Sequence, residues 1–294
     1  LRGHHLYGGR RRRRRQWLNR AHRCLGLGPA VVSAAALAPP LAALTVLAAL
    51  APGVSASLSL LGRRVLLIDG DMQLNLTLSF FPEDEVMDYA CGEKNLYAAM
   101  KKEEDLWDYV VHTPYENLDL VPSSTLMSGI EYELFAKWQR ELILSRSLKR
   151  LKEEGGYDYI LIDAPPTLGG WVMNILCASD YVILPVEASP WGLFGVANMF
   201  EFLDNVKRLV PELALLGVAI TKLDARKNYG RQTLEALQAY EEVNVFRTLI
   251  RVDSEIEWAQ DNSRPVMAHK KSARSAGEYL ELAKEVEEHV GRSR

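Results

Sequence analysis

The stretch Tyr157-Asp158-Tyr159-Ile160-Leu161-Ile162-Asp163-Ala164-Pro165-Pro166-Thr167-Leu168-Gly169 decides the fold. A short apolar run that ends in acid and then in two prolines reads as a strand buried on both faces, residues 157–163, closed where proline cannot continue it. Residues 63–69 (RRVLLID) have the same form and also end in acid, with Asp71 two positions on. Outward from these two strands the pattern alternates. Residues 181–185 (YVILP), 215–221 (LLGVAIT) and 245–250 read as strands. Residues 95–104, 129–153, 171–178, 193–209, 231–242 and 272–289 read as helices, with 129–153 long and amphipathic. Strands separated by helices of this length predict an α/β fold, a doubly wound and mainly parallel sheet flanked by helices.

In such sheets ligands bind outside the carboxyl ends of the strands. Asp69, Asp71 and Asp163 sit at two such ends. Carboxylates at neighbouring strand tips can hold Mg²⁺ through water and orient an attacking water. Taken singly, each is equally a turn former or a helix cap.

The chain has 294 residues, 48% hydrophobic and 25% charged, which excludes a wholly disordered or collagen-like protein. Three scattered cysteines, Cys24, Cys91 and Cys177, contain no CxxC pair. They give neither a disulfide framework nor a zinc site and point to a reducing cytoplasm. No Ser/His/Asp or Cys/His constellation is present, and the tryptophans Trp107, Trp138, Trp171, Trp191 and Trp258 read as core or interface residues.

The net charge of −3 conceals a division. Residues 1–57 carry nine Arg and no Lys, Asp or Glu, whereas all 38 acids lie at or after Asp69. Residues 24–62 hold no charge at all. We therefore divide the chain into an aberrant basic and apolar segment, residues 1–57, and an α/β nucleotide-binding domain, residues 58–294. Three readings of the first segment stand. It is a membrane anchor or signal sequence, with residues 24–52 as the membrane segment, although Pro39-Pro40 would kink a spanning helix. It is a basic arm for acidic partners. Or it is GC-rich DNA read out of frame, rich in Arg, Ala, Pro and Gly.

The two acid-ended segments resemble a known family. Asp69-Gly70-Asp71-Met72-Gln73-Leu74-Asn75-Leu76-Thr77 is similar to the DxDPQGNxT stretch of the ParA/Soj/MinD class of deviant-Walker partition ATPases, and residues 157–169 to its YDYILIDxPPSLG segment. Residues 178–187, 217–226 (GVAITKLDAR), 245–265 and 272–286 continue the likeness, so it covers roughly residues 58–290. Met72 replaces the usual Pro and Leu74 the usual small residue, which predicts a loop of altered shape.

The resemblance implies a P-loop, SIMIBI-like ATPase fold with ATP and Mg²⁺ as cofactors. Asp71 would activate the hydrolytic water, Asp163 would hold Mg²⁺ through water, and Asp69 would support the metal shell. Gln73, Pro165 and Pro166 would shape the nucleotide site. Thr221, Lys222, Asp224, Arg251 and Asp253 lie where relatives approach the base, with plain surface roles as the alternative. The implied function is chromosome or plasmid partitioning by an ATP-dependent homodimer that binds non-specific DNA and a ParB-like DNA-bound partner in a cytoplasmic, nucleoid-associated setting. Arg226, Lys227, Arg231, Lys270, Lys271 and Arg274 are the DNA candidates, and a solvated face is their bland reading. The alternatives are a non-catalytic scaffold of the same fold or a membrane-associated MinD-like positioning protein, anchored through the N-terminal apolar segment.

One part of the pattern is missing. A phosphate cradle needs glycines and a Lys followed by Ser or Thr. Residues 37–47, where it should fall, read LAPPLAALTVL, and the first lysine of the chain is Lys94. Only residues 56–62 (ASLSLLG) look like the tail of the helix that follows a P-loop. The first strand of the fold is not recognisable. The chain is therefore expected to have the acids of an ATPase and to be defective in ATP binding.

Overall fold

The computed structural model describes residues 47–189, 192–224, 226–227, 229–238 and 243–293. In chain order these form α1 (Leu47–Leu60), β1 (Val65–Asp69), α2 (Asn75–Leu78), α3 (Glu83–Cys91), α4 (Leu96–Lys102), β2 (Val111–His112) and β3 (Leu118–Val121). Then come α5 (Ile130–Phe135), α6 (Ile143–Ser147), α7 (Lys149–Glu154), β4 (Tyr159–Asp163), α8 (Gly170–Cys177), β5 (Tyr181–Glu187) and α9 (Gly192–Val206). The chain closes with β6 (Ala214–Thr221), α10 (Tyr229–Gln238), α11 (Ser254–Asp261), α12 (Val266–His269) and α13 (Arg274–Ser293).

The expected α/β architecture is present. β1 is central and fully buried, as its apolar sequence requires. Val65 and Leu67 face one core layer with Leu58, Phe80 and Leu282, while Leu66 and Ile68 face the other with Leu96, Leu144 and Trp171. β1 pairs in parallel with β3 on one side and β4 on the other, and β2 closes the edge antiparallel to β3. β5 and β6 form a separate parallel pair.

Four expectations need correction. First, the division at residues 57/58 is misplaced, because residues 47–57 belong to α1 and Leu50, Val54 and Ser57 are buried in the core. Second, residues 129–153 are not one helix. The chain breaks near Gln139, whose φ of 49° is left-handed, and resumes as α6 and α7. Third, residues 245–250 lie along β6 but form only isolated bridges. The Glu285 carboxylate takes the Arg247 and Thr248 N–H groups, at 2.7 and 3.1 Å, that a ladder would use. Fourth, of the tryptophans read as core or interface residues, Trp171 is in the core, while Trp107, Trp138 and Trp258 are exposed and so are not core residues. Trp191 lies outside the described residues, as do residues 24–46 of the proposed membrane segment. Among the described residues no helix is long and apolar enough to cross a membrane.

α1 packs against α13 where Gly53 meets Tyr279. A Cβ at Gly53 would lie 2.4 Å from the Tyr279 ring, which is itself buried. Gly53→Ala is therefore expected to destabilise the chain by about 1–3 kcal/mol despite alanine's better helix propensity. Urea denaturation measures it. An unchanged or raised midpoint would show that the helix pair relaxes freely.

Candidate functional site

The carboxyl ends of β1 and β4 lie side by side, with Asp69 and Asp163 as register partners. Gly70 makes this approach possible. Its N–H donates to the Asp163 carbonyl at 2.9 Å, and a Cβ there would stand 2.5 Å from that oxygen. The Trp171 indole N–H then donates to the Gly70 carbonyl at 2.9 Å, tying α8 to the turn.

The turn itself is built by short-range bonds. Asp71 accepts the Gln73 N–H at 3.1 Å, as Asp does in tight turns. Leu74 adopts φ 62°, the left-handed conformation that small residues favour, and its fully buried side chain holds it there. Leu74 is thus a branched residue kept in a glycine-like conformation. Ser123 donates to the Asp71 carbonyl at 2.8 Å, fixing the loop to the segment after β3. Gln73 is exposed on this turn.

Three carboxyls gather here. Asp69 is fully buried and accepts bonds from the Thr77 hydroxyl, the Thr77 N–H and the Asp71 N–H. Asp163 is equally buried, yet neither carboxyl oxygen has a hydrogen-bond partner among the described residues. Asp71 is buried beside them. Burial pushes the Asp69 carboxyl up to about 7 against the lowering bonds from Thr77. Burial, then the charges of Asp69 and Asp71, pushes Asp163 well above the ordinary carboxylate range. Asp71 is raised by burial. A buried carboxylate with bare oxygens and two acidic neighbours is a site that a cation would complete. Among the described residues no three His, Cys, Asp or Glu side chains converge closely enough to ligate one ion directly. The arrangement therefore suits a hydrated cation such as Mg²⁺, which keeps several of its waters.

Pro165 and Pro166 follow Asp163 directly and are half-buried. At the start of α8, Glu131 accepts the Trp171 N–H at 3.3 Å. Sequence reasoning misses Thr77, Trp171, Ser123 and Glu131. For Thr77 a signal exists, since it ends the acid-rich stretch that begins at Asp69. The others act through contacts 40 or more residues distant in sequence.

The second group of candidates assembles elsewhere. Residues 221–224 run beside residues 250–253, with the Leu223 N–H bonded to the Ile250 carbonyl at 3.1 Å and the Val252 N–H to the Leu223 carbonyl at 3.0 Å. Thr221 is buried with an unpartnered hydroxyl. Lys222 pairs with Glu187 at 3.5 Å. The Arg226 guanidinium beside Asp224 holds that carboxyl down to about 2. Arg251 is bound to Glu278, and Asp253 caps α11 by accepting the Glu255 N–H at 3.1 Å. Arg251 and Arg274 line an open groove of about 670 Å³ with Leu223 and Glu278. Of the DNA candidates, Arg226, Arg231, Lys270 and Arg274 pair with Asp224, Glu235, Glu255 and Glu278. Lys227 and Lys271 are exposed.

Comparison with known proteins bears on the family and the fold. A family model described as an AAA domain matches residues 48–215. The sporulation initiation inhibitor protein Soj of Bacillus subtilis is 36% identical over 234 residues, covering 79% of this chain and 90% of that protein. The chromosome partitioning protein ParA of Myxococcus xanthus is 29% identical, covering 79% of this chain and 80% of that protein. Among solved structures, cobyrinic acid a,c-diamide synthase from Mycobacterium smegmatis with bound ADP and magnesium superposes with a TM-score of 0.70 at 26% identity. It covers 85% of this chain and 92% of that one. The septum site-determining protein MinD of Pyrococcus horikoshii, complexed with Mg-ADP, shares the fold with a TM-score of 0.66 at 22% identity, covering 85% and 94% of the two chains.

Proposed function

This chain belongs to the AAA-domain family of ParA/Soj/MinD-type P-loop ATPases, and from that premise we propose that it is a ParA/Soj-like partitioning protein whose cation site is formed by Asp69, Asp71 and Asp163. The observation that carries the proposal is the in-register pairing of Asp69 with Asp163 at adjacent strand tips, with both Asp163 oxygens bare. In this reading Asp163 and Asp71 would hold hydrated Mg²⁺, which would supply charge neutralisation for phosphate oxygens. Asp71, held in the turn by the Gln73 N–H and the Ser123 hydroxyl, would be the carboxylate placed to orient a water there. Asp69 is bound by Thr77 and shapes the turn, so its contribution to the metal shell is indirect. Gln73, Pro165 and Pro166 form the rim of this site.

The phosphate side does not fit as well. At the start of α1 the described residues are Leu47, Ala48, Ala49 and Leu50, with neither Lys nor Gly, and no lysine precedes Lys94 in the chain. Phosphoryl transfer rests on positioning and charge neutralisation, and we derive no step of it here. MgATP is expected to bind this polypeptide with a Kd weaker than about 1 mM. Calorimetric titration tests this, and micromolar binding would refute it. That missing cradle favours, as second reading, a non-catalytic scaffold of the same fold.

Homodimer formation, ATP dependence, a ParB-like partner and nucleoid association come from the family likeness. Thr221, Lys222, Asp224, Arg251 and Asp253 keep their place as candidates for the base edge. Four of the six DNA candidates sit in exposed ion pairs, which are weak enough to exchange for phosphate contacts. Retention on non-specific duplex DNA, measured with and without MgATP, tests the partitioning reading. Nucleotide-independent retention supports the scaffold, and no retention at low salt counts against both.

A further inference from the structure

Two peptide groups join Asp69 to Gly70 and Gly70 to Asp71, and each is rigid, so their orientation decides how both acids stand. The first donates the Gly70 N–H to Asp163 of β4, and the second accepts the Trp171 indole N–H of α8 at its carbonyl, both at 2.9 Å. The other side of that second peptide, the Asp71 N–H, donates to Asp69 at 3.2 Å, a bond within the turn. The indole bond is what ties this peptide to a different element. The indole also walls the turn. A Cβ at Gly70 would stand 3.4 Å from the Trp171 Nε1 and 3.1 Å from the Ile175 Cδ1, so α8 lies against the turn with no side chain between. Trp171 is 3% exposed and Asp71 4%. Packing alone at this place needs only an aliphatic side chain, whereas a buried indole N–H must find an acceptor and finds it on the acid turn.

Trp171 is itself held from the other side. Its backbone N–H donates to Glu131 of α5 at 3.3 Å. One turn on, the buried Asn174 donates to the Arg140 carbonyl at 2.7 Å and accepts the Leu144 N–H at 3.3 Å. α8 is thus anchored to residues 131–144, and Trp171 carries that anchorage to the acids. We propose that Trp171 is a positioning residue of the cation site, acting through the Gly70 carbonyl to set Asp71 against Asp163, and that Glu131 in turn sets Trp171. This inference rests on the cation site proposed above. Without the indole bond the Gly70–Asp71 peptide is restrained from inside the turn alone, and Asp71 shifts from the position in which it shares a hydrated cation with Asp163. The bonds from Gln73 and Ser123 act on the carboxylate and carbonyl of Asp71 and leave the preceding peptide free. Outer-shell groups of this kind govern metal affinity by orienting the ligands.

Benzothienylalanine, a tryptophan analogue with sulfur in place of the indole N–H, separates the bond from the packing when inserted at position 171 of the full chain. Mg²⁺ alone is titrated into the parent and the variant, and its affinity is read by calorimetry. The analogue is expected to weaken Mg²⁺ binding about tenfold with the circular dichroism spectrum unchanged. A purely structural role lowers the melting temperature and leaves the affinity alone, so equal affinities in parent and analogue overturn the proposal. Glu131 is exposed, so its variants keep the fold and decide the matter if the analogue does not fold. Glu131→Ala should weaken Mg²⁺ binding about threefold. Glu131→Gln removes the same charge but keeps an acceptor for the Trp171 N–H, and it should restore most of the loss. Equal affinities in these two variants overturn the proposal. Asp163→Asn keeps the two possible failures apart. Binding that the parent shows, that Asp163→Asn abolishes and that the analogue leaves untouched refutes the role of Trp171 alone. A parent that does not bind Mg²⁺ overturns the cation site and this inference with it.

Discussion

Asp163→Asn is expected to raise the stability of the cation-free chain at pH 7 and to abolish the upward melting shift that Mg²⁺ would produce in the parent if the proposed site holds it. The direction follows from burial. Asp163 is fully buried with both oxygens unpartnered, and its carboxyl titrates well above the ordinary range because of burial and the charges of Asp69 and Asp71. A carboxyl raised in the folded state favours folding while protonated. Its contribution is complete below the unfolded value near 4 and is lost as pH rises through the folded value. For Asp69 that window runs from about 4 to about 7. Each unit is worth about 1.4 kcal/mol per proton, so the parent in chelator loses on the order of 3–4 kcal/mol between pH 4 and 7. The asparagine variant removes one titration and the repulsion it exerts on Asp69, so its stability curve flattens across that window. At pH 7 it should exceed the parent, with a higher urea midpoint and a higher Tm. In the parent, Mg²⁺ at a hundredfold excess over its Kd restores about 2.7 kcal/mol. Denaturation at pH 5 and pH 7, each with EDTA and with Mg²⁺, measures all four values. A variant less stable than the parent in EDTA would show that Asp163 has a partner that the structure does not reveal.

Thr77→Val is the second large effect, and it acts in the opposite direction. The Thr77 hydroxyl and N–H both donate to Asp69, and the hydroxyl oxygen also accepts the Ser123 N–H at 3.3 Å. Valine keeps the shape and removes both hydroxyl contacts from a fully buried carboxyl. The loss is expected at about 1–3 kcal/mol. Asp69 loses a bond that holds its titration down, so its carboxyl moves further upward and the cost grows toward pH 7. Thr77→Ser keeps the hydroxyl and should recover most of the loss. Urea midpoints of the three chains settle the matter. If valine and serine prove equally destabilising, the methyl packing and not the hydrogen bond supports the turn.

The segments that could be read locally were the two acid-ended strands, and the reason is chemical. Residues 65–69 and 159–163 are apolar runs too short for helices, and each ends in an Asp that must meet something polar. Their pairing was not readable, because β3 lies between them in sequence but on the outer side of β1 in space. β3 itself, Leu118–Val121, offers four residues and little pattern. Composition misled at α1. Residues 47–57 look foreign beside the rest of the chain, yet Gly53 fits the face of Tyr279 more than two hundred residues away. The base-edge candidates show the same limit. Arg251 and Asp253 stand in the right stretch, but Glu278 and Ser275 on α13 take part of their hydrogen-bonding capacity.

By itself the sequence determined the α/β class, the family and the acids at the strand tips. Those features depend on apolar periodicity and on residue types at fixed local spacing. The tertiary structure alone decided that Asp69 is satisfied by Thr77 while Asp163 has no partner among the described residues, since bonding and burial are properties of neighbours brought together by folding. It also decided that, among the described residues, β4 pairs with β1 while β5 pairs with β6, because strand partners are chosen by the arrangement of the whole fold and leave no mark on either strand's own residues.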